Sequence, residues 1–122
     1  MKLYIAAHSQ TDANKVATLL CDAGHTITAT RLQEDFSRTA NYTEAERTAI
    51  ALKDAVEVAA SDGLVLLASP YRVPGGKFVE VGVAIGLGLP VYVLGHRENM
   101  LMWHPLTQQY NSVEDLIKHF NS

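Results

Sequence analysis

The sequence predicts an α/β domain in which helices cover both faces of a parallel sheet. Short apolar runs typical of strands alternate with longer segments of helical periodicity, as in folds built around parallel strands. One run, "GLVLLAS" at 63–69, is apolar almost throughout, as expected for a strand covered on both faces. The 122 residues match the size of one domain, so we expect a single domain over 1–122.

The first third of the chain predicts two strands joined by a helix. "KLYIAA" at 2–7 is a short run rich in strand-forming residues. The segment 11–24 carries apolar residues at helical spacing; it follows the capping residue Ser9 and closes at Gly24. "HTITATR" at 25–31 then alternates as a second strand.

A polar segment at 33–43 has no regular period and is predicted to be a loop. The long helix predicted at 43–63 begins with a capping box, because Thr43 is followed three residues later by Glu46. The apolar face of this helix is predicted to comprise Ala49, Ile50, Leu52, Ala55, Val56 and Ala59.

The second half continues the alternation. After the strand at 63–69 come a helix at about 76–88, the strand "PVYVLG" at 90–95 and an amphipathic helix in "SVEDLIKHF", which Ser112 caps. The order predicts a flavodoxin-like or Rossmann-like three-layer sandwich, with about four or five parallel strands and helices on both faces.

Composition excludes several classes of function. A formal net charge of −3 argues against a general binder of nucleic acid polymers, which needs basic patches for phosphates. The start, "MKLYIAA", is too short for a signal peptide, and no apolar run approaches the roughly 20 residues of a membrane span. The single cysteine, Cys21, lies in a helical pattern and is expected to be buried and inert, consistent with a cytoplasmic protein.

Neither a metal nor a cofactor is expected. The sequence has no G-x-G-x-x-G motif after the first strand and no G-x-x-x-x-G-K-[ST] motif. Its five histidines are scattered, and none forms a pair at the spacing of a helical zinc site.

Ligands of parallel sheets bind beyond the carboxyl ends of the strands, and here the loops at that edge concentrate the polar side chains. They are His8, Ser9, Asp12, Arg72, Glu80, His96, Arg97, Glu98, Asn99 and His104.

Glu80 is a lone acid near the start of an apolar helix that we expect to be nearly buried all round. A carboxylate there either gains from the helix dipole or has a chemical role, since an unpaired buried charge is costly. Gly75 and Gly76, just before it, either form a tight turn or leave room for a ligand at the helix N-terminus.

The chain resembles the nucleoside 2-deoxyribosyltransferase family and its N-glycosidase relatives over nearly its full length. The resemblance rests on "KLYIAA", on "KDAVEVAASDGLVLL" and, most specifically, on "GGKFVEVGVAIGLGLPVYVLGHREN". The last stretch contains E-x-G-x-A-x-x-x-G-x-P-V after a glycine turn, which resembles the nucleophile helix of the family.

The resemblance implies roles for individual residues. Glu80 corresponds to the carboxylate that attacks C1′ of the sugar, and Asp54 to the acid that contacts the substrate and helps to protonate the leaving base. Tyr4 corresponds to the tyrosine that positions the nucleophile. Asn99 corresponds to an asparagine that a neighbouring subunit contributes, which implies a homodimer or larger oligomer with shared active sites. From the residues alone, three of these roles have equally good alternatives: a solvated helix acid for Asp54, a core aromatic for Tyr4 and a loop residue for Asn99. Asp62 is expected to have a capping or turn role.

The expected partner is a small nucleoside or nucleotide, with His8, Ser9, Gly75, Gly76, Arg72 and Asn99 binding it. We expect cleavage or transfer of the N-glycosidic bond of a (deoxy)nucleoside or its monophosphate through a covalent glycosyl–Glu80 intermediate. The alternative is a non-catalytic nucleotide-binding module, a sponge or sensor, on the same fold. The sequence departs from typical transferases at Pro74, which stands where they carry an acid that binds the base.

Overall fold

The computed structural model describes residues 1–33 and 42–122. These residues form the strands β1 Lys2–Ala6, β2 Thr26–Ile27, β3 Gly63–Leu67, β4 Val91–Leu94 and β5 Thr107–Tyr110. The α-helices are α1 Gln10–Asp22, α2 Glu44–Ala59, α3 Gly76–Gly86 and α4 Val113–Asn121. Short 3-10 helices cover Thr30–Gln33 and Met100–Trp103.

The strands form one parallel sheet in the order β2-β1-β3-β4-β5, which confirms the predicted α/β class. This is the strand order of flavodoxin-like folds. Helices α1 and α4 pack against each other, as do α2 and α3. Strand β2 is added on one side of β1, whereas β3, β4 and β5 are added on the other side. Because strand connections in parallel sheets are right-handed, this change of side places the two helix pairs on opposite faces of the sheet. The carboxyl ends of β1 and β3, neighbours in the sheet, lie at the edge where ligands bind in such folds.

The core lies on the central strands. All five residues of β3 are buried, as predicted for a strand with β1 on one side and β4 on the other. Leu20 of α1, Val58 of α2 and Leu116 of α4 are fully buried against the sheet.

The predicted helix caps are present. The Ser9 side chain accepts a hydrogen bond from the N–H of Asp12, and Ser112 caps α4 in the same way. Thr43 and Glu46 form the reciprocal capping box. Gly24 follows the end of α1 with φ of +96°, a conformation that glycine adopts without strain.

Two predictions about strands were incomplete. The second strand has only two residues, after which the chain turns into the 3-10 helix Thr30–Gln33. Strand β5, with the sequence "TQQY", was not predicted because it lies at the sheet edge and buries only Thr107 fully, so it lacks an apolar run. The predicted loop at 33–43 lies largely outside the described residues, since 34–41 are not among them.

Three predictions about burial were wrong. Cys21 is exposed. The residues that α1 buries are Ala13 and Leu20, and Cys21 lies at the edge of the face that they form. The apolar face predicted for α2 is mostly exposed: Leu52 and Val56 are 65% and 66% exposed, Ala49, Ala55 and Ala59 are exposed as well, and Ile50 is half-buried. The buried residues of α2 are instead Asp54 and Val58, so the face of the helix that packs against the protein differs from the predicted apolar face.

Helix α3 was predicted to be buried nearly all round, and this was also wrong. Val81 and Ala84 are buried, but Val79 is 69% exposed. A helix that is apolar on several sides gives no periodic signal for the side that faces the sheet. Among the helices of the described residues, none is both long and apolar enough to cross a membrane.

Candidate active site

Tyr4 and Glu80 form a direct contact between the sheet and α3. Tyr4 lies in β1 with only 2% of its surface exposed, and its Oη donates a hydrogen bond to Oε2 of the half-buried Glu80. Burial raises the pKa of the Tyr4 hydroxyl far above its usual value, and the Glu80 charge and this bond raise it further. Tyr4 therefore stays protonated and acts as a donor to the carboxylate at any physiological pH.

Asp54 lies close to this pair. It is buried on α2, at 9% exposure, and α2 packs against α3. Its charge contributes to the raised pKa of Tyr4, after the effects of burial and of Glu80. The fold thus brings together the three residues predicted as catalytic from three separate elements, β1, α2 and α3.

A cavity of about 660 Å³ opens beside these residues, between α2, α3 and the end of β1. This volume lies within the range of about 300–1,000 Å³ typical of small-molecule sites. Apolar side chains such as Ile50, Val58 and Val83 supply most of its walls. Its ionisable side chains are His8, Tyr42, Arg47, Asp54, Lys77 and Glu80.

The glycine turn at the start of α3 forms part of the cavity wall through Pro74 and Gly76. Gly75 occupies the N-cap position with φ of −83°, and no side chain caps this helix. A Cβ added at Gly75 or Gly76 would meet nothing within 4 Å, and neither residue has a positive φ. Neither a positive φ nor a close neighbour within the described residues therefore requires glycine at these two positions.

Within the part of the chain that the structure describes, His8 and Gly76 line this cavity, whereas four other predicted binding residues, Gly75, Ser9, Arg72 and Asn99, do not. Ser9 caps α1 and borders, with His8, a separate cavity of about 110 Å³. Arg72 is exposed on the loop after β3. The Oδ1 of Asn99 accepts a hydrogen bond from the N–H of Leu101 and caps the 3-10 helix of its own chain.

Asp62, expected from the sequence to have a capping or turn role, lies in the bend between α2 and β3. Its carboxylate accepts a hydrogen bond from the N–H of Lys2 at 2.8 Å, and its own N–H donates to the Lys2 carbonyl at 2.7 Å. It ties the start of β1 to the end of α2, on the side of the sheet away from the cavity.

Sequence reasoning missed three ionisable groups at the cavity: Tyr42, Arg47 and Lys77. Arg47 precedes Asp54 by seven residues, or two helical turns, so the two share a face of α2; that spacing is a signal that pattern reading could have used. Lys77 is buried in the first turn of α3, although a lysine in an apolar segment gives no sign that its charge will be enclosed. Among residues 1–33 and 42–122, no three His, Cys, Asp or Glu side chains are grouped so as to hold a metal ion.

No known family model matches the sequence, and no curated protein matches it. Solved structures do match. A 2-deoxyribosyltransferase from the psychrotolerant bacterium Bacillus psychrosaccharolyticus aligns with a TM-score of 0.77 at 20% identity, covering 96% of this chain and 90% of the other.

Two further structures align over nearly complete chains. The CMP N-glycosidase of Clostridium botulinum has a TM-score of 0.61 at 14% identity, covering 99% of this chain and 98% of its own. A conserved protein from Enterococcus faecalis V583 has a TM-score of 0.67 at 22% identity, covering 99% and 97%. These likenesses establish a shared fold, and the first two neighbours match the family that the sequence resembles.

Proposed function

We propose that this protein cleaves or transfers the N-glycosidic bond of a (deoxy)nucleoside or of its monophosphate. The observation that carries the proposal is the Tyr4–Glu80 hydrogen bond at the wall of a cavity that also contains Asp54. Two structural neighbours act on this kind of bond: one is a 2-deoxyribosyltransferase and the other a CMP N-glycosidase. At this level of identity they support the reaction class and leave the substrate open.

In the proposed reaction Glu80 is the nucleophile. One carboxylate oxygen attacks C1′ of the sugar, the bond from C1′ to the base nitrogen breaks, and the electron pair of that bond leaves with the base. The resulting glycosyl ester is then attacked at C1′ by water or by a second base, which releases the Glu80 carboxylate. Two displacements at one carbon retain its configuration, as in retaining glycosidases.

Tyr4 and Asp54 have supporting roles in this scheme. The Tyr4 hydroxyl holds one carboxylate oxygen of Glu80 by its hydrogen bond, so that the other oxygen can face the sugar. We assign to Asp54, which is buried in the wall of the same cavity, the protonation of the departing base, for which its carboxyl group must first take up a proton.

The cavity is apolar except for a few convergent polar groups, which suits a flat heterocyclic base attached to a sugar. Pro74 lines the wall where typical transferases carry a second acid for the base. A proline offers neither a proton nor a hydrogen-bond donor there, so we infer that the base is recognised differently from the substrates of ordinary transferases.

We also propose that the working unit is a homodimer or larger oligomer. Large apolar side chains lie exposed on three segments: Leu52 and Val56 on α2, Val79 on α3, and Met100, Leu101 and Trp103 on the 3-10 helix that follows Asn99. Exposed apolar residues in groups are typical of interaction surfaces. An interface that covers them would carry Asn99 toward a second copy, as the family resemblance implies.

The test is to incubate the protein with each deoxynucleoside and deoxynucleoside monophosphate, with and without an acceptor base, and to follow the free base by chromatography. Glu80→Ala is expected to abolish turnover, and Glu80→Gln, which keeps the shape and removes the charge, is the matched control for folding. Full turnover by Glu80→Ala would rule out the proposed nucleophile. A rise in melting temperature with a nucleotide, without turnover of any substrate, would favour the non-catalytic binding module.

A further inference from the structure

Lys77 and Glu98 form an ion pair inside the protein, beside the cavity. The Lys77 side chain is 1% exposed and that of Glu98 is 12% exposed, with 2.7 Å between Nζ and Oε1. Lysine is almost never fully buried unless its charge is paired, so this arrangement needs a specific explanation.

The bonds of Lys77 join segments that are distant in the chain. Its ammonium donates to the Leu67 carbonyl at the end of β3 and to Ser69 Oγ, both at 3.0 Å, and to Glu98 in the loop after β4. Glu98 Oε1 also accepts from the N–H of Ser69 at 3.1 Å. Since an ammonium has three protons, these three acceptors match its full donor capacity. Lys77 therefore holds protein segments together and has no N–H left to donate to a substrate.

The segments that it fastens carry the predicted site. Lys77 follows Gly76 and precedes Glu80 by three residues in α3, and Glu98 directly precedes Asn99. A purely apolar contact could fill the same space, but it would leave the start of α3 free to slide against the loop. Directional bonds to fixed acceptors define one position.

We propose that Lys77 and Glu98 are positioning residues, whose ion pair fixes the start of α3 against the loop after β4 and so sets where Glu80 stands in the cavity. The catalytic part of this inference rests on the proposed function. The alternative is a pair that merely stabilises the fold, and the two readings predict different behaviour when both charges are removed together.

Lys77→Met keeps an unbranched side chain and removes the charge, whereas Glu98→Gln keeps an oxygen that accepts from Ser69. Either single change leaves one buried charge without its partner and is expected to lower the melting temperature. The double variant contains neither charge, so it is expected to regain most of the lost melting temperature. If the pair sets the position of Glu80, kcat stays about 10–100-fold below wild type in the double variant while KM changes less than about threefold.

The control is Leu116→Ala, a core truncation in α4, which packs on α1, β4 and β5. This variant is expected to lose melting temperature and to keep wild-type kcat at a temperature where it remains folded. Recovery of kcat together with melting temperature in the double variant would overturn the positioning role.

A second readout does not depend on turnover. In two-dimensional amide NMR spectra, Lys77→Met is expected to shift the resonance of Asn99 and Glu98→Gln that of Gly76, each across the ion pair from the substituted residue, whereas Leu116→Ala leaves both in place. Unmoved Gly76 and Asn99 amides would overturn the inference even if the enzyme is active. If wild-type protein turned over no nucleoside or nucleotide, the proposed function would fail, and these amide shifts would still decide whether the ion pair fixes the two segments.

Discussion

Removing the Tyr4 hydroxyl tests the central contact of the site. Tyr4→Phe keeps the ring that packs in β1 beside β3 and deletes only the donor to Glu80. Because Tyr4 is 2% exposed, no solvent hydroxyl replaces the lost donor from the sheet side. Glu80 is half-buried, so water can reach part of its carboxylate from the cavity.

The expected loss follows from these exposures. A hydrogen bond to a charged group contributes about 1.5–3 kcal/mol to stability, and partial rehydration of Glu80 reduces this to about 1–2 kcal/mol. For a domain of this length, such a loss lowers the melting temperature by about 3–12 °C. The freed carboxylate samples more orientations, so we expect kcat to fall by about 10–100-fold.

The assay is a double-mutant cycle by thermal and urea unfolding of wild type, Tyr4→Phe, Glu80→Ala, which removes the acceptor, and the double variant. A contact of the proposed kind gives a coupling free energy near 1 kcal/mol or more. Tyr92→Phe is the matched control, because Tyr92 is also a buried strand tyrosine, on β4, where its ring contacts Phe120. Strict additivity for Tyr4 and Glu80, or equal coupling for Tyr92 and Glu80, would refute the reasoning.

Three further predictions use other parts of the molecule. Gly76→Ala is expected to leave the free energy of unfolding unchanged or to raise it by up to about 1 kcal/mol, because alanine favours helix. The added methyl group lies at the cavity wall and is expected to reduce kcat/KM, whereas the control Gly86→Ala, at the far end of α3, keeps full activity. Equal activities of the two variants would contradict this prediction. Burial lowers the pKa of His25, so the unfolded chain binds the proton more tightly and stability falls as the pH drops below about 6.5. The fall in melting temperature between about pH 7.5 and 5.5 is therefore expected to be smaller in His25→Phe, and an identical fall would remove His25 as its cause. If the proposed oligomer forms through α2, Val56→Lys, at a position 66% exposed in one chain, is expected to reduce the sedimenting mass to that of a monomer. A mass equal to that of wild type in sedimentation equilibrium would contradict an interface through Val56.

The sequence predicted the fold class because the central strands carry strong local signals. The apolar run of β3, the capping box of α2 and the glycine after α1 each depend on neighbouring residues alone, and each is present in the structure. Strand β5 could not be predicted in this way. Its residues alternate weakly because an edge strand covered by one helix buries little, and only its pairing with β4 makes it a strand.

The site was predictable to the extent that single residues stand out against their surroundings. Glu80 stood out as an acid among apolar residues, and the family resemblance paired it with Tyr4 and Asp54. Lys77 and Glu98 could not be paired by local reasoning, because the bond between them spans 21 residues and depends on how α3 meets the loop after β4. Long-range polar contacts of this kind leave no periodic trace in a sequence.

Helix α2 has a burial pattern that differs from that of a helix serving only the core. One stripe of α2 buries the carboxylate of Asp54, and another exposes the apolar side chains of Leu52 and Val56. A surface helix that serves only the core would instead bury its apolar residues and expose its acids. Both anomalies have one explanation if the first stripe faces the substrate cavity and the second faces another copy of the chain. A buried acid is then retained for chemistry despite its cost in stability, and an exposed apolar stripe is covered in the assembly. Since both stripes lie on one rigid helix, disrupting the outer stripe by Val56→Lys is expected to lower kcat/KM as well as the sedimenting mass, and full activity in a monomer would separate the two roles of α2.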